Sequence, residues 1–394
     1  MTGPLRSFHL ADTDGTALNG GGAEIVFDAT VRAARQLGHD VTVMTATPRR
    51  TPLSYVYSRR NYREIREALR RAQPHLIHLQ NYYHYLSPSA LAAIRDHKRE
   101  HPSARVVFTA HDFHLICPNS GFQHFARSRP ISYDVQRPRF RWFHKFDRRS
   151  WAHSILKLAQ HVYAYRVRHL ERAIDAIISP SELIATAFRH AGIVIPVHVL
   201  RNPISVSPTT TSVQRSGLAF LGRLTPAKGL LTFVQLLERR EFQCRIDVYG
   251  DGPQRNELVD FAGRSRYVDL ALHGHVRHQD IGDVLGKHQA LVYPSTWLEN
   301  APLAVVEAAA LGLTLVVPHL GGAREMAELA EKHELYDPAE PSSVTRAVSR
   351  ALATAEPNAL RDPSAFRFET FVKRLDAVYQ RQTSPDSEIR PSSA

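Results

Sequence analysis

The sequence predicts two doubly wound, Rossmann-like α/β domains that face each other across a cleft. Its 394 residues are more than one ordinary hydrophobic core holds, and they suit two domains. Short apolar segments alternate with amphipathic segments along most of the chain, which is typical of parallel strands joined by crossover helices. The alternation stops near residue 203 and then starts again. Because ligands of such sheets bind at the carboxyl ends of the strands, two facing sheets predict a ligand cleft between them.

Six short apolar segments of the first half are predicted strands, and a helix follows the first of them. That helix extends from about Gly22 to Leu37, and Gly38 suits its C-terminal cap. The predicted strands are residues 7–10, 40–45, 76–79, 106–110, 176–179 and 197–200.

A linker is predicted at Arg201-Asn202-Pro203 and the Ser/Thr/Pro-rich residues 205–216. Aromatic and leucine side chains at near-helical spacing predict a closing helix over residues 366–382, and residues 383–394 are predicted to be disordered. The predicted domains are therefore residues 1–202, closed by this last helix, and residues 203–365. The second half contains five predicted strands, at residues 218–221, 245–249, 270–273, 290–293 and 315–317.

The composition is that of a soluble globular protein, with 43% hydrophobic and 22% charged residues. No apolar run reaches the roughly 18–20 residues that span a bilayer, and the first residues lack the features of a secretory signal, so we expect a cytoplasmic protein. Two cysteines, Cys117 and Cys244, are too few for a disulfide framework or a Cys-rich zinc site. The 22 histidines show no helical pair with a carboxylate at metal-binding spacing, and we expect no metal.

A basic loop, residues 222–229, follows a predicted strand and opens a helix. The free amides and the dipole of a helix N-terminus attract phosphate, and Arg223 and Lys228 would add two positive charges. These residues are therefore candidate diphosphate ligands. A solvated basic loop is the alternative interpretation.

Two glutamates, Glu299 and Glu307, are separated by seven residues around a predicted helix start at Pro302. Glu307 lies in the apolar run 303–310, where a carboxylate is costly unless it has a partner. We expect both carboxylates to accept hydrogen bonds from sugar hydroxyls in one pocket. The backbone of Ala301, Pro302 and Leu303 would face the phosphates. Glutamates on helices are usually only solvated, which is the alternative.

These stretches resemble glycosyltransferase family 4, a family of retaining enzymes with the GT-B fold. The resemblance covers roughly residues 5–380, and its landmarks occur in the family's order. The landmarks are Gly20-Gly21-Gly22-Ala23-Glu24 with residues 38–43, His111-Asp112-Phe113-His114 with Cys117-Pro118-Asn119, residues 222–229, Gly250-Asp251-Gly252-Pro253, and the Glu299/Glu307 pair.

The resemblance implies a GT-B enzyme that moves a sugar from a nucleotide sugar to an acceptor hydroxyl with retention of configuration, without metal or other cofactor. The first domain would bind the acceptor, either lipid-linked or a small molecule, and the second the donor. By this resemblance, Arg223 and Lys228 hold the diphosphate, Glu307 the ribose and Glu299 the transferred sugar. His111 contacts the sugar near the anomeric carbon, Gly21 and Gly22 allow close approach of the backbone, Gly250 lies near the nucleotide, and the backbone of His275 and Val276 contacts the base.

Three other interpretations explain less of the sequence. Asp12-Thr13-Asp14 looks like the metal-binding pair of single-domain GT-A glycosyltransferases, but that fold would not produce the second alternating half, so we interpret it as a polar loop. A nicotinamide enzyme needs a dinucleotide glycine fingerprint, and the glycines at 15, 20, 21 and 22 do not have that spacing. A basic membrane- or nucleic-acid-binding protein without catalysis would not explain the paired glutamates.

The net charge of +12 is concentrated between Arg127 and Arg172, where twelve Lys/Arg and three acidic residues mix with aromatic ones. Such a segment suits helices with aromatic core residues and surface arginines, a peripheral membrane contact, an anionic acceptor, or single-stranded nucleic acid. No nucleic-acid-binding module accompanies it, so we expect no nucleic-acid partner. The candidate acceptor or membrane residues are Arg139, Arg141, Trp142, Lys145, Arg148 and Arg149.

Overall fold

The structure is a computed structural model, and it describes residues 4–12, 21–46, 51–127, 129–206, 215–354 and 356–380. Several predictions from the sequence lie outside these residues. They concern Gly20, residues 13–14 of the aspartate motif, the middle of the linker at 207–214, the last two residues of the closing helix, and the predicted tail at 383–394.

The first half of the chain forms a six-stranded parallel sheet with the order β2-β1-β3-β4-β7-β8. Its central strands are buried on both faces, as in β3, where every residue is buried, and this explains their continuous apolar character. The strands are β1 (Arg6–Ala11), β2 (Asp40–Thr45), β3 (Leu76–Gln80), β4 (Arg105–Thr109), β7 (Ala176–Ser179) and β8 (Val197–Val199), and β5 (Gln123–Ala126) with β6 (Arg129–Ser132) forms a separate antiparallel hairpin.

Six α-helices belong to the described part of this first half. The segment between β4 and β7 is an insert that contains the hairpin and one helix, and that helix continues into a π-helical turn at Val162–Val167. The helices are α1 (Gly22–Gln36), α2 (Pro52–Val56), α3 (Arg59–Ala72), α4 (Ser89–Glu100), α5 (Trp151–His161) and α6 (Glu182–His190).

The second half forms another six-stranded parallel sheet with the order β11-β10-β9-β12-β13-β14. The strand order reverses between β9 and β12, and crevices at such switch points bind ligands. The strands are β9 (Leu218–Leu221), β10 (Cys244–Tyr249), β11 (Val268–Gly274), β12 (Ala290–Val292), β13 (Thr314–Pro318) and β14 (His333–Tyr336). The helices are α7 (Leu230–Arg239), α8 (Arg255–Ala262), α9 (Ile281–Leu285), α10 (Leu303–Ala310), α11 (Gly321–Glu328) and α12 (Pro341–Ala353).

The last described helix, α13 (Phe368–Gln380), returns to the first sheet. Its buried face packs with Leu76 and Ile178, and the Tyr379 hydroxyl lies 2.6 Å from Nδ1 of His78 on β3. The helix begins two residues later than predicted, because Pro363–Phe366 forms a short 3₁₀ turn before it.

The carboxyl ends of the two sheets meet through the loop that follows β12. Asn300 in this loop accepts a hydrogen bond from Ser181 Oγ at 2.5 Å and donates to the carbonyl oxygen of Ala110 at 3.2 Å. Ser181 follows β7 and Ala110 follows β4. Glu325 on α11 adds an ion pair to Arg201 at 2.5 Å. The two strand ends therefore face one another across a shared cleft.

Candidate active site between the two sheets

A close approach of backbone joins the turns after β9 and β12. Gly229 has φ +71°, and a Cβ there would lie 2.0 Å from the carbonyl oxygen of Pro294, so glycine is required. The amide of Thr296 donates to the carbonyl of Ala227 at 2.9 Å. Since β9 and β12 are neighbours at the switch point, this contact fixes Lys228 beside the loop that carries Glu299.

Lys228 and Glu299 form an ion pair, with Nζ 2.8 Å from Oε1. Lys228 Nζ also donates to Tyr293 Oη at 2.5 Å and lies over the Tyr293 ring. Burial alone would lower the pKa of Lys228, but Tyr293 and Glu299 outweigh it and raise that pKa, so the ammonium is charged. Oε1 of Glu299 accepts two further hydrogen bonds at 2.7 Å, from Ser295 Oγ and Trp297 Nε1. The site thus holds one cation and one carboxylate in a fixed arrangement.

Glu307 is buried on α10, and its partner is His278. His278 Nε2 lies 2.7 Å from Glu307 Oε1. This hydrogen bond raises the pKa of His278, although burial alone would lower it. The sequence predicted that Glu307 needs a partner but did not identify His278. His278 lies in a 3₁₀ turn after β11, two residues beyond the predicted base-binding backbone at His275 and Val276.

Three residues that are predicted to bind the nucleotide sugar follow three neighbouring strands. The turn with Arg223 follows β9, Gly250 follows β10, and His275 follows β11. Gly250 has φ +147°, and a Cβ there would lie 1.9 Å from the carbonyl oxygen of Gly222, so these two turns touch. The amide of Gly250 donates to the Gly274 carbonyl at 2.7 Å. The three turns therefore form one continuous edge.

The first sheet contributes His111, which lies two residues beyond the end of β4. Burial lowers the pKa of His111 to about 4, so the imidazole is neutral at physiological pH. Its Nε2 lies 2.8 Å from Gln80 Oε1, and Gln80 Nε2 donates to Thr30 Oγ1 at 3.0 Å. Thr30 donates in turn to the carbonyl of Val26 at 2.8 Å. Because Gln80 donates through Nε2 to Thr30, it presents its acceptor Oε1 to His111. Nε2 of His111 therefore carries the proton, and Nδ1 is left as a hydrogen-bond acceptor.

Gly21 and Gly22 of the first half lie against residues of the second half that are predicted to bind the nucleotide sugar. A Cβ on Gly22 would be 3.5 Å from Leu303 at the start of α10, and one on Gly21 would be 3.9 Å from Arg223 Nη2. The Gly21 amide donates to Glu24 Oε2 at 2.8 Å, and this hydrogen bond caps the N-terminus of α1. The N-termini of α1 and α10 thus approach the cleft from opposite sides.

A second contact across the cleft involves Gly121 and Trp297. A Cβ on Gly121 would lie 2.9 Å from Cε3 of Trp297, the residue that donates to Glu299. The loop that holds Gly121 is anchored to the insert, because Asn119 donates to the carbonyl oxygen of Phe146 at 2.7 Å. Residues 111–122 therefore connect the cleft with the basic insert.

Some predicted residues have other surroundings than expected. Pro302 is the N-cap of α10 and not a residue of its first turn, because its ψ of 113° is extended. Asp12 is buried, and its carboxylate accepts from the amides of His84, Tyr85 and Leu86 at 2.7–2.9 Å, so it fixes a loop. The described residues hold no group of three or more His, Cys, Asp or Glu that could bind a metal.

The basic insert divides its aromatic residues between core and surface. Phe146 is fully buried, whereas Trp142 and Phe143 are exposed. Arg149 is paired with Asp147 through two contacts of 3.0 Å. The remaining predicted patch residues are Arg139, Arg141 and Arg148, which are exposed, and Lys145, which is half-buried.

The sequence matches two family models that together span both halves. Residues 20–207 match the model of Glycosyltransferase Family 4, and residues 215–354 match that of Glycosyl transferases group 1. The chain is a family 4 glycosyltransferase. No curated protein matches this glycosyltransferase in a sequence comparison.

Solved structures show that this glycosyltransferase has the GT-B fold. Sucrose-phosphate synthase from Thermosynechococcus elongatus is 14% identical with a TM-score of 0.68, over 95% of this chain and 98% of that one. Anabaena HepE in complex with UDP and glucose is 17% identical with a TM-score of 0.64, over 95% and 99% of the two chains. The catalytic domain of starch synthase IV from Arabidopsis thaliana, bound to ADP and acarbose, is 13% identical with a TM-score of 0.57, over 95% and 99%.

Proposed function

We propose that this glycosyltransferase moves a sugar from a nucleoside-diphosphate sugar to an acceptor hydroxyl, with retention of configuration and without a metal. The observation that carries the proposal is the Lys228–Glu299 pair at the switch point of the second sheet. The pair combines a charged ammonium for a phosphate with a carboxylate for sugar hydroxyls. Glycosyltransferase structures with the same fold contain UDP with glucose, and ADP with acarbose, in their own sites.

The diphosphate would lie between the start of α10 and the glycine loop of the first half. Lys228 and Arg223 supply positive charge on one side, and Gly21 and Gly22 allow backbone to approach from the other. Glu307 with His278 would hold the ribose, since this pair lies further along α10 and beside the turn after β11. The backbone of His275 and Val276 would contact the base.

The protein would act mainly by positioning and by charge stabilisation. Negative charge develops on the leaving diphosphate as the glycosidic bond breaks, and Lys228 stabilises it. Glu299 orients the sugar through its hydroxyls, while the neutral His111 contacts it from the first sheet. The acceptor hydroxyl attacks from the face that the diphosphate leaves, and the leaving phosphate accepts its proton.

A donor screen followed by product analysis tests this function. Thermal shift against a panel of nucleotide sugars identifies the donor, because at equal concentration a ligand that binds the native state more tightly raises the unfolding temperature more. Proton NMR of the product then gives the anomeric configuration. We expect the donor's configuration in the product and an unchanged initial rate in EDTA. An inverted product, or a rate lost in EDTA and restored by a divalent cation, contradicts the proposal.

A further inference from the structure

Helix α5 in the insert buries polar residues and leaves an apolar stripe exposed, while Leu158 packs partly buried against the core. The buried residues of the helix are Ser154, Gln160 and His161. The exposed stripe consists of Trp151, Ala152, Ile155 and Ala159. Three of these follow each other at intervals of four residues and therefore share one helix face. Trp151 is 57% exposed and Ile155 is 64% exposed.

Hydrogen bonds on the inner side fix this orientation. Gln160 Nε2 donates to the carbonyl oxygens of Tyr55 and Tyr83 at 2.6 and 2.8 Å, and its Oε1 lies 3.0 Å from His114 Nε2. Rotation of the helix to bury its apolar stripe would break all three contacts in a buried environment, which is costly. The apolar stripe is therefore a permanent feature of the surface.

Further apolar residues are exposed on α2 and on the chain segment before α5. Leu53, on the helix α2 that packs against α5, is 85% exposed. Before α5 in the chain, Trp142 and Phe143 are 55% and 69% exposed. Exposed single apolar side chains are ordinary, but a helical stripe that includes Trp151, together with exposed Trp142 and Phe143 in the same insert, is not.

Arginines flank the stripe at both ends. Arg148 and Arg149 precede α5, and Arg166 and Arg168 follow it in the π-helical turn and just beyond, all exposed. The buried Asp147 pairs with Arg149 and Lys157 and offsets part of their charge. Residues 147–168 still hold five basic residues against this one acidic residue, so the segment that carries the stripe has a net positive charge.

We propose that this face, formed by the stripe of α5 with Leu53, docks on the surface of an anionic phospholipid bilayer. The helix would lie in the plane of the interface, with tryptophan at headgroup depth and arginines against lipid phosphates. None of the described helices has the length and apolar character that a bilayer span requires. A second copy of the chain fits less well, because its arginines would meet arginines of the same sign.

Flotation of the full-length protein with vesicles tests the proposal. We expect binding to vesicles of phosphatidylglycerol and phosphatidylcholine, and much less to phosphatidylcholine alone. Ile155→Glu should weaken binding about tenfold or more, because it removes apolar burial and adds a charge of the wrong sign. The matched control is Val194→Glu, since Val194 is 96% exposed on the loop after α6. Unfolding temperatures of both variants verify that they remain folded.

Three results overturn the proposal. They are absence of binding to the anionic vesicles, equal binding by the Ile155→Glu variant, and a concentration-dependent dimer without lipid that Ile155→Glu abolishes. Quenching of tryptophan fluorescence by brominated lipid should be strong in the parent protein and reduced by Trp151→Phe. Docking on a bilayer does not depend on the transfer reaction, and nucleotide binding measured on the same samples distinguishes loss of membrane binding from loss of donor binding.

Discussion

Replacement of Lys228 by alanine should reduce turnover about 10²-fold or more. The Lys228–Glu299 contact of 2.8 Å corresponds to a Coulomb energy on the order of 6 kcal/mol at an effective dielectric constant of about 20, before desolvation is counted. Lys228 is 22% exposed, so solvent screening reduces this value. Loss of one charge-stabilising group typically costs about 3–4 kcal/mol in a transition state, which agrees with the expected decrease.

The assay is steady-state transfer, with nucleoside-diphosphate binding measured beside it. Lys228→Ala should weaken binding of the nucleoside diphosphate more than that of the nucleoside, because the ammonium acts on phosphate. Lys228→Arg keeps the charge and should retain part of the activity. A Lys228→Ala variant with near-normal turnover would refute the diphosphate assignment.

A matched ion pair away from the cleft controls for stability. Lys98 on α4 forms an ion pair with Asp175, and the two side chains are 23% and 21% exposed, against 22% and 12% for Lys228 and Glu299. Asp175 precedes β7 and so lies at the end of the first sheet opposite the cleft. Lys98→Ala should therefore lose an ion pair of similar burial and keep normal turnover. An equal loss of activity in both variants would indicate a general effect on folding.

Three further predictions concern the ribose pair, the loop before α10 and the dependence of stability on pH. Glu307→Gln should lower the pKa of His278, followed by NMR, and raise the donor KM about tenfold. Gly322→Ala should reduce turnover and unfolding temperature, because its Cβ would lie 1.4 Å from the Asn300 carbonyl oxygen. Burial keeps the pKa of His9 at about 3 in the folded protein, whereas His9 in the unfolded chain takes up a proton below about pH 6.5. The free energy of unfolding, measured with urea, should therefore be about 2 kcal/mol lower at pH 5 than at pH 7.

Each of these predictions has its own control. An unchanged His278 pKa in Glu307→Gln would contradict the pairing. Gly263→Ala should be harmless, because its nearest contacts at 3.7 Å are ordinary. His9→Gln should reduce the loss of stability between pH 7 and pH 5, and a protein equally stable at both pH values would contradict the assignment. Asp112 acts in the opposite direction, since burial raises its pKa to about 6 and its protonation below that pH favours the folded state.

The sheets could be predicted from the sequence because each central strand is a short apolar run between turns. The edge strand β14 and the hairpin β5–β6 could not, because edge and hairpin strands are half-exposed and carry little apolar signal. Helices in the basic insert are among the alternatives that the sequence predicts, but with aromatic residues in the core and without bounds. In α5 the fully buried residues are polar and Trp151 is exposed, so periodicity alone predicts the wrong face.

Residues of the site could be predicted where their immediate neighbours in the sequence indicate a chemical role. Glu307 in an apolar run implied a partner, but His278 lies 29 residues away, and only the packing of α10 against the turn after β11 brings them together. Tyr293 and Trp297 were also missed, because aromatic residues beside a strand end usually read as core. Their contacts with Lys228 and Glu299 depend on the close approach at Gly229.

A crystal structure of the protein with a bound nucleoside diphosphate would show whether Lys228 lies in the donor site. We expect phosphate oxygens within hydrogen-bond distance of Lys228 Nζ, the ribose beside Glu307, and the glycine loop of the first half against the diphosphate. A nucleotide bound elsewhere, with Lys228 still paired only to Glu299 and Tyr293, would contradict this placement.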